Sequence, residues 1–352
     1  MHGMLLAVYS CDVLKECIDE LSPYIATIIN NSLRTGTVPD IFKKAIVKPL
    51  LKKKGLNCEI LKNYRPVSNL PFLSKILEKV ILKQILGHMQ ENNLQECYQS
   101  AYRAHHSTET ALMRIMNDLL HVMDSGKTTI LGLLDLSAAF DTIDHNILLQ
   151  RLNITFGISK TALKWISSYL SGRSQVVSIG NSTSTERGIS YGVPQGSVLG
   201  PVLFVLYTSP VAKILEKHML AYHMYADDTQ IYSMCLQSDM QSKKQMYERC
   251  IVDIHSWMSA NKLKLNGDKT EALFVGNAIY KERTQNMTMD IDGAAIPLSY
   301  RVKNLGVILD SNLSMESYID QIRTCIIISF RNIRTIRPYI STEACKKLAW
   351  YQ

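Results

Sequence analysis

Two adjacent carboxylates, Asp227 and Asp228, interrupt the apolar stretch HMLAYHMYADDTQIYSMC at residues 218–235. The flanking residues, rich in Leu, Tyr, Met and Ile, predict two short strands that would be buried. Neighbouring carboxylates repel each other and lose solvation energy on burial unless a cation lies near them. The pair therefore indicates either a cation site or a plain turn between strands, where Asp is common.

A third carboxylate, Asp135, ends the apolar run TTILGLLD (128–135), which predicts a buried strand. If that strand lies beside the strands around Asp227, three carboxylates converge. Such a cluster suits Mg²⁺, which prefers carboxylate and phosphate oxygens. Two ions held in this way can activate an attacking hydroxyl group and neutralise a leaving phosphate. Taken alone, the Asp227–Asp228 pair favours a plain turn between strands. The neighbouring segments described below favour a cation site instead.

Apolar residues at helical spacing predict the elements that would position these acids. Helices are predicted at 10–35, 71–92, 107–123, 144–171, 196–210 and 238–260. A hairpin is predicted at 174–192, a turn and strand at 263–276, and a single strand at 302–310. Alternating strands and helices indicate an α/β (α+β) domain with a largely antiparallel sheet.

The composition narrows the class of protein. The 352 residues allow roughly two domains. The eight cysteines are scattered without a CxxC pair, which argues against a zinc site or a disulfide framework and favours reduced thiols. No apolar run approaches the roughly 18 residues that span a bilayer. We expect a soluble, intracellular protein with no membrane partner, and the composition leaves open whether it is nuclear or cytoplasmic and in what oligomeric state.

Basic residues are concentrated near the N-terminal end. Lys and Arg outnumber Asp and Glu by 39 to 31, and between Ile41 and Arg65 only Glu59 is acidic. The lysines of this segment are Lys43, Lys44, Lys48, Lys52, Lys53, Lys54 and Lys62. Such a run can attract nucleic acid without reading its sequence, although for any single lysine a solvated loop is the commoner explanation.

Seven segments, in order along the chain, resemble the motifs of reverse transcriptases, and most of all those of non-LTR (LINE-type) retrotransposon polymerases. They are KNYRPVSNLPFLSKILEK (62–79), QSAYRAHHSTETAL (99–112), LDLSAAFDTIDH (134–145), YGVPQGSVLGPVLF (191–204), YADD (225–228), LKLNGDKTEALFVG (263–276) and NLGVILD (304–310). Ala101-Tyr102 replaces the family's usual Gly-Phe in the second of them. Ordered motifs are far more specific than any one of them alone.

The resemblance implies a right-hand polymerase fold. Residues 1–40 would form an N-terminal helical extension, 41–127 the fingers, 128–300 the palm with the acids, and 301–352 a primer-grip hairpin and the start of the thumb. LINE-type proteins usually carry an endonuclease ahead of the polymerase. The residues ahead of the motifs are too few for such a domain, and the last residues reach only the start of the thumb. We therefore expect a fragment with an incomplete thumb and no endonuclease. The arginines Arg323, Arg331, Arg334 and Arg337 would lie in the thumb, beside the minor groove of a duplex.

The resemblance also implies the roles of the acids. Asp135 and Asp227 would bind two Mg²⁺ ions, with Asp228 close by as a further ligand. Lys269 would be the general acid for departing pyrophosphate, although a lone lysine is more often a solvated turn residue. The implied nucleotide contacts are Arg65, Arg103, Leu136, Phe140, Gln195 and Gly196. Two further acids, Asp141 and Asp144, are better explained as helix-starting or surface residues.

Two nucleotide contacts have a physical rationale of their own. The ring of Phe140 would be a steric gate that leaves no room for a 2′-hydroxyl, and its alternative is an ordinary core aromatic. Gly192 and Gly196 would let the backbone approach the nucleotide, and a helix beginning near Gly196 would point its N-terminus at the site. A simple strand–turn–helix junction would use glycines in the same way.

The implied function is that of an RNA-directed DNA polymerase, which adds deoxynucleotides to a primer 3′-hydroxyl. Its partners would be an RNA template, a DNA or RNA primer and deoxynucleoside triphosphates. The alternatives are a catalytically inactive remnant that binds nucleic acid and an inert translated fragment.

Overall fold

The computed structural model describes residues 16–53, 55–137, 140–276, 287–291 and 294–350. The helices are α1 (Ile18–Thr35), α2 (Phe72–Glu91), α3 (Thr108–Asp124), α4 (His145–Ile154), α5 (Lys160–Leu170), α6 (Gly200–Thr208), α7 (Val211–Lys217), α8 (Met240–Ala260), α9 (Glu316–Ile336) and α10 (Thr342–Trp350). The strands are β1 (Lys44–Leu51), β2 (Tyr64–Asn69), β3 (Thr128–Leu134), β4 (Leu136–Ser137), β5 (Arg173–Ile179), β6 (Ser182–Thr183), β7 (Arg187–Ile189), β8 (Ala221–Tyr225), β9 (Asp228–Cys235), β10 (Lys264–Leu265), β11 (Glu271–Val275), β12 (Thr288–Ile291), β13 (Ala294–Ser299), β14 (Arg301–Asn304) and β15 (Val307–Asp310).

Local sequence signals explain where several of these helices begin and end. The side chain of Ser107 caps α3 by accepting a hydrogen bond from Thr110 N–H, and the Thr110 hydroxyl accepts one from Ser107 N–H in return. The helix α1 ends at Gly36, which adopts a left-handed φ of 64°. The predicted helices at 71–92, 107–123 and 238–260 are therefore confirmed within a few residues at each end.

Two predictions of single elements are wrong. The segment 144–171 forms two helices, α4 and α5, because the chain turns between them at Gly157, whose φ is 66°. The segment 302–310 is not one strand but belongs to the antiparallel hairpin of β14 and β15. Its two-residue turn places Leu305 at φ 45° and Gly306 at φ 93°, and a turn with two positive φ values matches the twist of a hairpin.

The central sheet has six strands in the order β12-β13-β11-β3-β9-β8, and only the β13–β11 pair is parallel. One face packs against α3 and the β14–β15 hairpin, through the buried side chains of Ile115, Leu119, Leu131, Leu273 and Leu309. The other face packs against the larger core, which includes apolar residues of α2, α4, α5, α6 and α8. The predicted, largely antiparallel sheet is confirmed, and both of its faces are buried.

A second sheet joins distant parts of the sequence. Its order is β2-β1-β5-β6, and β7 also pairs with β5. Strand β1 is antiparallel to β2 but parallel to β5, so residues 173–189 share a sheet with the basic N-terminal segment. The chain thus leaves this sheet after β2, forms β3 of the central sheet, and returns.

Among the helices that the structure describes, none has the length and apolar content needed to cross a bilayer. The described cysteines, from Cys17 to Cys345, are all free thiols.

Candidate active site

The central sheet brings the three carboxylates together. Strands β3 and β9 pair antiparallel, and Leu134 lies opposite Thr229. Asp135 follows β3 directly, and Asp228 begins β9 one residue before Thr229, so the two acids meet at the same end of the strand pair. Asp227 occupies the tight turn between β8 and β9, which Tyr225 and Asp228 close as a strand pair. The condition for the three acids to converge, that the acid-bearing strands are neighbours in one sheet, is therefore met.

The charges of these acids are poorly compensated. Burial raises the pKa of Asp227, and the nearby charge of Asp135 raises it further, whereas Lys269 and Arg65 act in the opposite direction. Burial, followed by the charges of Asp227 and Asp135, raises the pKa of Asp228 to about 6. An added cation would relieve this repulsion, because it favours the charged form of each carboxylate.

The donor set therefore fits a divalent metal ion in its chemistry. Carboxylate oxygens are the ligands that Mg²⁺ prefers, and burial, followed by the charges of the neighbouring carboxylates, raises the pKa values of Asp227 and Asp228. Within the described part of the chain, no three His, Cys, Asp or Glu side chains are grouped closely enough to enclose an ion. Asp135 instead points to protein partners.

Those partners come from the turn between β10 and β11. Asn266 Nδ2 and Lys269 Nζ each lie 3.1 Å from Asp135 Oδ2, and Asn266 N–H donates to the Asp135 carbonyl at 2.9 Å. Leu265 pairs with Leu136, which directly follows Asp135, and this pairing places the turn beside the acids. Lys269 therefore lies beside Asp135, and its role as a proton donor stays a prediction. Asn266 was missed, although an Asn at the start of the NGDK turn is a typical local signal.

Residues of the expected fingers face the same site. The guanidinium of Arg65, on β2, is near enough to Asp227 to oppose the rise in its pKa. Burial, followed by the charge of Asp227, raises the pKa of the half-exposed Tyr102. The neighbouring Arg103 donates from Nη1 to the carbonyl of Glu96 at 3.2 Å and lines a separate cavity together with Gln99 and Val202.

The loop at residues 191–199 lies between the two sheets. Val193 N–H donates to the Phe140 carbonyl at 2.8 Å, and Ser68 N–H, in β2, donates to the Gln195 carbonyl at 2.7 Å. Gly192 (φ 77°) and Gly196 (φ 105°) both require glycine, because an added Cβ would lie 2.8 Å from the carbonyl oxygens of Phe140 and Ser68, respectively. Gln195 and Gly196 thus lie in a loop that is hydrogen-bonded to β2 on one side and to Phe140 on the other.

The predicted helix start near Gly196 is wrong. Helix α6 begins at Gly200, and three N–H groups around its start already have acceptors within the chain. Glu78 Oε2, from α2, accepts hydrogen bonds from Val198 N–H at 2.7 Å and Leu199 N–H at 3.1 Å. Ser197 Oγ accepts another from Gly200 N–H at 3.0 Å. The amide groups of this helix end therefore bind a carboxylate of the protein rather than facing a nucleotide.

Glu78 is a functional candidate that the sequence reasoning missed. Its side chain is 1% exposed, and its carboxylate also accepts hydrogen bonds from the hydroxyl groups of Ser74 and Tyr169, each at 3.2 Å. The only hint in the sequence is a glutamate on the apolar side of the helix LSKILEKV.

The remaining predicted contacts have mixed surroundings. The Phe140 ring is half-buried and lies 5.1 Å from the ring of Phe204, so it also packs as a core aromatic. The Leu136 side chain is buried, which leaves only its backbone for a nucleotide. Asp144 caps α4 by accepting hydrogen bonds from Asn146 N–H and Ile147 N–H, as predicted for a helix-starting acid.

The basic segment is less free than the sequence indicated. Lys43 is buried and lies 3.1 Å from Asp40, and Lys44 pairs with Glu186 at 2.6 Å. Both lysines therefore already have a carboxylate partner within the chain, and their attraction for nucleic acid stays a prediction. Lys48 and Lys53 are exposed, and Lys54 lies outside the described residues. The four predicted thumb arginines are exposed on α9 and the turn after it.

Comparison with known proteins identifies the family. Residues 51–309 match the family described as reverse transcriptase (RNA-dependent DNA polymerase). The RNA-directed DNA polymerase from mobile element jockey of Drosophila melanogaster is 28% identical over 317 residues, which cover 87% of this chain and 33% of that protein. The probable RNA-directed DNA polymerase from transposon X-element of Drosophila melanogaster is 30% identical over 306 residues, covering 86% of this chain and 32% of that protein.

The fold has a counterpart among solved structures. Apo telomerase from Candida tropicalis, truncated from the C-terminal domain, superimposes with a TM-score of 0.54 at 13% identity, over 86% of this chain and 59% of that one. This likeness concerns the fold alone. The chain spans about a third of the length of the curated relatives that it matches. Its ordered motifs and the match over residues 51–309 show that the chain belongs to the reverse transcriptase (RNA-dependent DNA polymerase) family.

Proposed function

We propose that this chain is an RNA-directed DNA polymerase that extends a primer on an RNA template. The observation that carries the proposal is the meeting of Asp135, Asp227 and Asp228 at one end of β3 and β9, with Lys269 and Arg65 beside them. The primer would be DNA or RNA, and the substrates would be deoxynucleoside triphosphates.

The three carboxylates would hold two Mg²⁺ ions, which when bound lower the pKa of the primer 3′-hydroxyl and stabilise charge on the triphosphate. The 3′-hydroxyl would release its proton to solvent as its oxygen attacks the α-phosphorus to form a new P–O bond, and the bond from the α-phosphorus to the bridging oxygen breaks to release pyrophosphate. Lys269 Nζ, 3.1 Å from Asp135 Oδ2, donates a proton to the departing pyrophosphate. Arg65 and Arg103 bind the triphosphate through their planar guanidinium groups.

The substrate would be selected by the loop and ring around the acids. Phe140 lies beneath the sugar and excludes a 2′-hydroxyl, and Gln195 and Gly196, together with the backbone of Leu136, contact the nucleotide. The closeness of the Gly196 backbone to Ser68 supports a narrow site, because a side chain there would collide with the finger strand.

The same reasoning extends to the parts of the fold. We assign 1–40 to an N-terminal extension, 41–127 to the fingers, 128–300 to the palm, and 301–352 to a primer-grip hairpin and the start of a thumb. The pairing of β5 with β1 supports counting 173–189 with the finger sheet, although these residues lie inside the palm range.

One observation favours a second candidate, an inactive remnant that binds nucleic acid. Asp135 is ion-paired with Lys269, and the described residues hold no closed set of metal ligands. A chain in which this arrangement persisted would bind RNA through Arg65 and the exposed Lys48 and Lys53 without extending a primer.

Primer extension separates the two candidates. The chain, Asp227→Ala, Asp227→Asn and the matched control Asp124→Ala, an exposed acid at the end of α3, would be compared on a primed RNA template with Mg²⁺ and four deoxynucleotides. We expect extension by the chain and the control and none by the Asp227 variants. Equal RNA affinity of all four proteins with no extension by any of them would establish the binding remnant.

A further inference from the structure

The short segment Tyr98–Ala101, between α2 and α3, lies along the edge strand β8. Met224 N–H donates to the Tyr98 carbonyl at 2.8 Å, and Ser100 N–H donates to the Met224 carbonyl at 3.0 Å. These bonds form a parallel bridge between Gln99 and Met224. A piece of the expected fingers therefore extends the central sheet right beside the turn that carries Asp227.

The side chain of Gln99 continues this contact into the turn. Gln99 is 5% exposed, and its Oε1 accepts hydrogen bonds from Ala101 N–H at 2.9 Å and Ala226 N–H at 3.2 Å. Ala226 directly precedes Asp227. One oxygen atom thus joins the loop before Tyr102 and Arg103 to the turn before the catalytic acid.

Ala226 has a strained backbone. Its φ is 57°, in the left-handed region, where the Cβ of any residue but glycine crowds the following carbonyl. Strain of this kind persists only where the surroundings hold it. Within the described part of the chain, Gln99 Oε1 is the acceptor that the Ala226 N–H faces, so the carboxamide is well placed to hold this conformation.

We propose that Gln99 is a positioning residue for the polymerase reaction: its Oε1 holds Ala226 at positive φ and thereby fixes where the Asp227 carboxylate lies. This inference rests on the proposed function. Among the described residues, Gln99 Oε1 accepts hydrogen bonds from Ala101 and Ala226, so it would act on Asp227 through the backbone of the turn. The same oxygen holds the Ala101 N–H, so the positions of Arg103 and Asp227 are set by one hydrogen-bonding centre.

The test is a double-mutant cycle between Gln99 and Ala226. Gln99→Met keeps the length of the side chain but removes the acceptor. Ala226→Gly removes the strain, because glycine adopts positive φ without cost from a Cβ. Gln90→Met, an exposed glutamine at the end of α2, is the matched control for the substitution. The wild type and the Gln99→Met, Ala226→Gly, double and Gln90→Met variants are compared.

Single-nucleotide incorporation is the first readout. We expect Gln99→Met to lower kcat on the order of 10- to 100-fold, as for a small misplacement of a catalytic group, with a smaller change in KM for the nucleotide. We expect Ala226→Gly to restore most of the lost kcat in the double variant and Gln90→Met to match the wild type. A double variant as slow as Gln99→Met would overturn the proposal, because Gln99 would then act through the loop at Ala101 and not through the turn.

Chemical denaturation is the second readout, and it does not depend on activity. If Gln99 holds the strained turn, Gln99→Met shifts the unfolding midpoint less in the Ala226→Gly background than in the wild type. Additive shifts would overturn the proposal. If the wild-type chain itself extends no primer, the proposed function fails, and the denaturation cycle still decides whether Gln99 holds the turn.

Discussion

Lys269 Nζ lies 3.1 Å from Asp135 Oδ2, so the proposed proton donor is ion-paired with a proposed metal ligand. The lysine side chain is 64% exposed, which leaves it free to move. A metal ion bound to Asp135 would compete with this pair, and the released ammonium group would then be available to a leaving pyrophosphate. Binding of the nucleotide with its metal ion would thus also release the Lys269 ammonium group from Asp135.

This arrangement predicts that the charge of Lys269 and its proton have separable effects. Lys269→Ala should lower the rate of single-nucleotide incorporation by about 100-fold, a typical loss for a general acid. Lys269→Arg keeps the ion pair with Asp135 but cannot give up a proton near neutral pH, so it should be nearly as slow. Rapid-quench kinetics measures both rates. An Arg variant as fast as the wild type would assign the lysine an electrostatic role only.

Phe140 is predicted to control the choice of sugar. Phe140→Val should raise ribonucleotide incorporation relative to deoxynucleotide incorporation by on the order of 10- to 100-fold, because the smaller side chain leaves room for a 2′-hydroxyl. Competition between the two nucleotides in primer extension gives the ratio. Phe204→Leu is the matched control, since it disturbs the same ring contact from the buried side. An equal change in both variants would show that Phe140 acts only through packing.

Glu78 is predicted to stabilise both the fold and the loop at residues 191–199. Glu78→Ala leaves the N–H groups of Val198 and Leu199 buried without an acceptor and should lower the free energy of unfolding by about 3 kcal/mol. Glu78→Gln keeps one acceptor oxygen and should cost less. Urea unfolding measures both, with Glu91→Gln, an exposed glutamate of the same helix, as control. Equal stability of Glu78→Ala and the wild type would contradict this role.

His223 is predicted to make the protein less stable in acid. Its ring is buried, Nε2 lies 2.9 Å from Ser100 Oγ, and Nδ1 has no hydrogen-bond partner among the described residues. Burial, followed by the charges of Arg114 and His106, lowers its pKa to about 4, and Asp118 only partly offsets them. The histidine pKa in the unfolded chain is about 6.5. Between about pH 4 and pH 6.5 the unfolded chain therefore binds a proton on His223 that the folded chain does not bind.

The sign of the effect follows from that difference. The contribution of His223 to stability is complete above pH 6.5 and is lost as the pH falls from there towards 4, by about 3 kcal/mol. Urea unfolding at pH 7 and pH 4.5 should show a smaller acid loss in His223→Gln than in the wild type. The same acid loss in both proteins would mean that the imidazole is not kept neutral in the fold.

The sequence predicted the elements that depend on local pattern. An apolar run that ends in a carboxylate predicted β3 and Asp135, and the acid pair between two apolar runs predicted the turn at Asp227. The meeting of these acids was a conditional expectation, and the β3–β9 pairing fulfils the condition. Periodicity could not supply the parallel pairing of β1 with β5, because the two strands share no local signal.

The sequence analysis missed hydrogen bonds between side chains and backbone groups that lie far apart in the sequence. The start of α6 was predicted at Gly196 from local glycine and serine, but Glu78, 120 residues before Val198, occupies the amide groups that would have begun it. Gln99 was passed over for a similar reason, since its partner Ala226 lies 127 residues further on. A single buried oxygen leaves no periodic trace in the sequence.

The order of the central sheet has a consequence for synthesis of the chain. Strand β3 is flanked by β9 and β11, and both of these partners leave the ribosome after it. Until they emerge, an apolar strand with two unpaired edges is exposed to other chains, and such edges are templates for aggregation. A nascent chain that stops within α6 would carry Asp135 without Asp227 and Asp228. The three acids can therefore meet only after β9 has been synthesised.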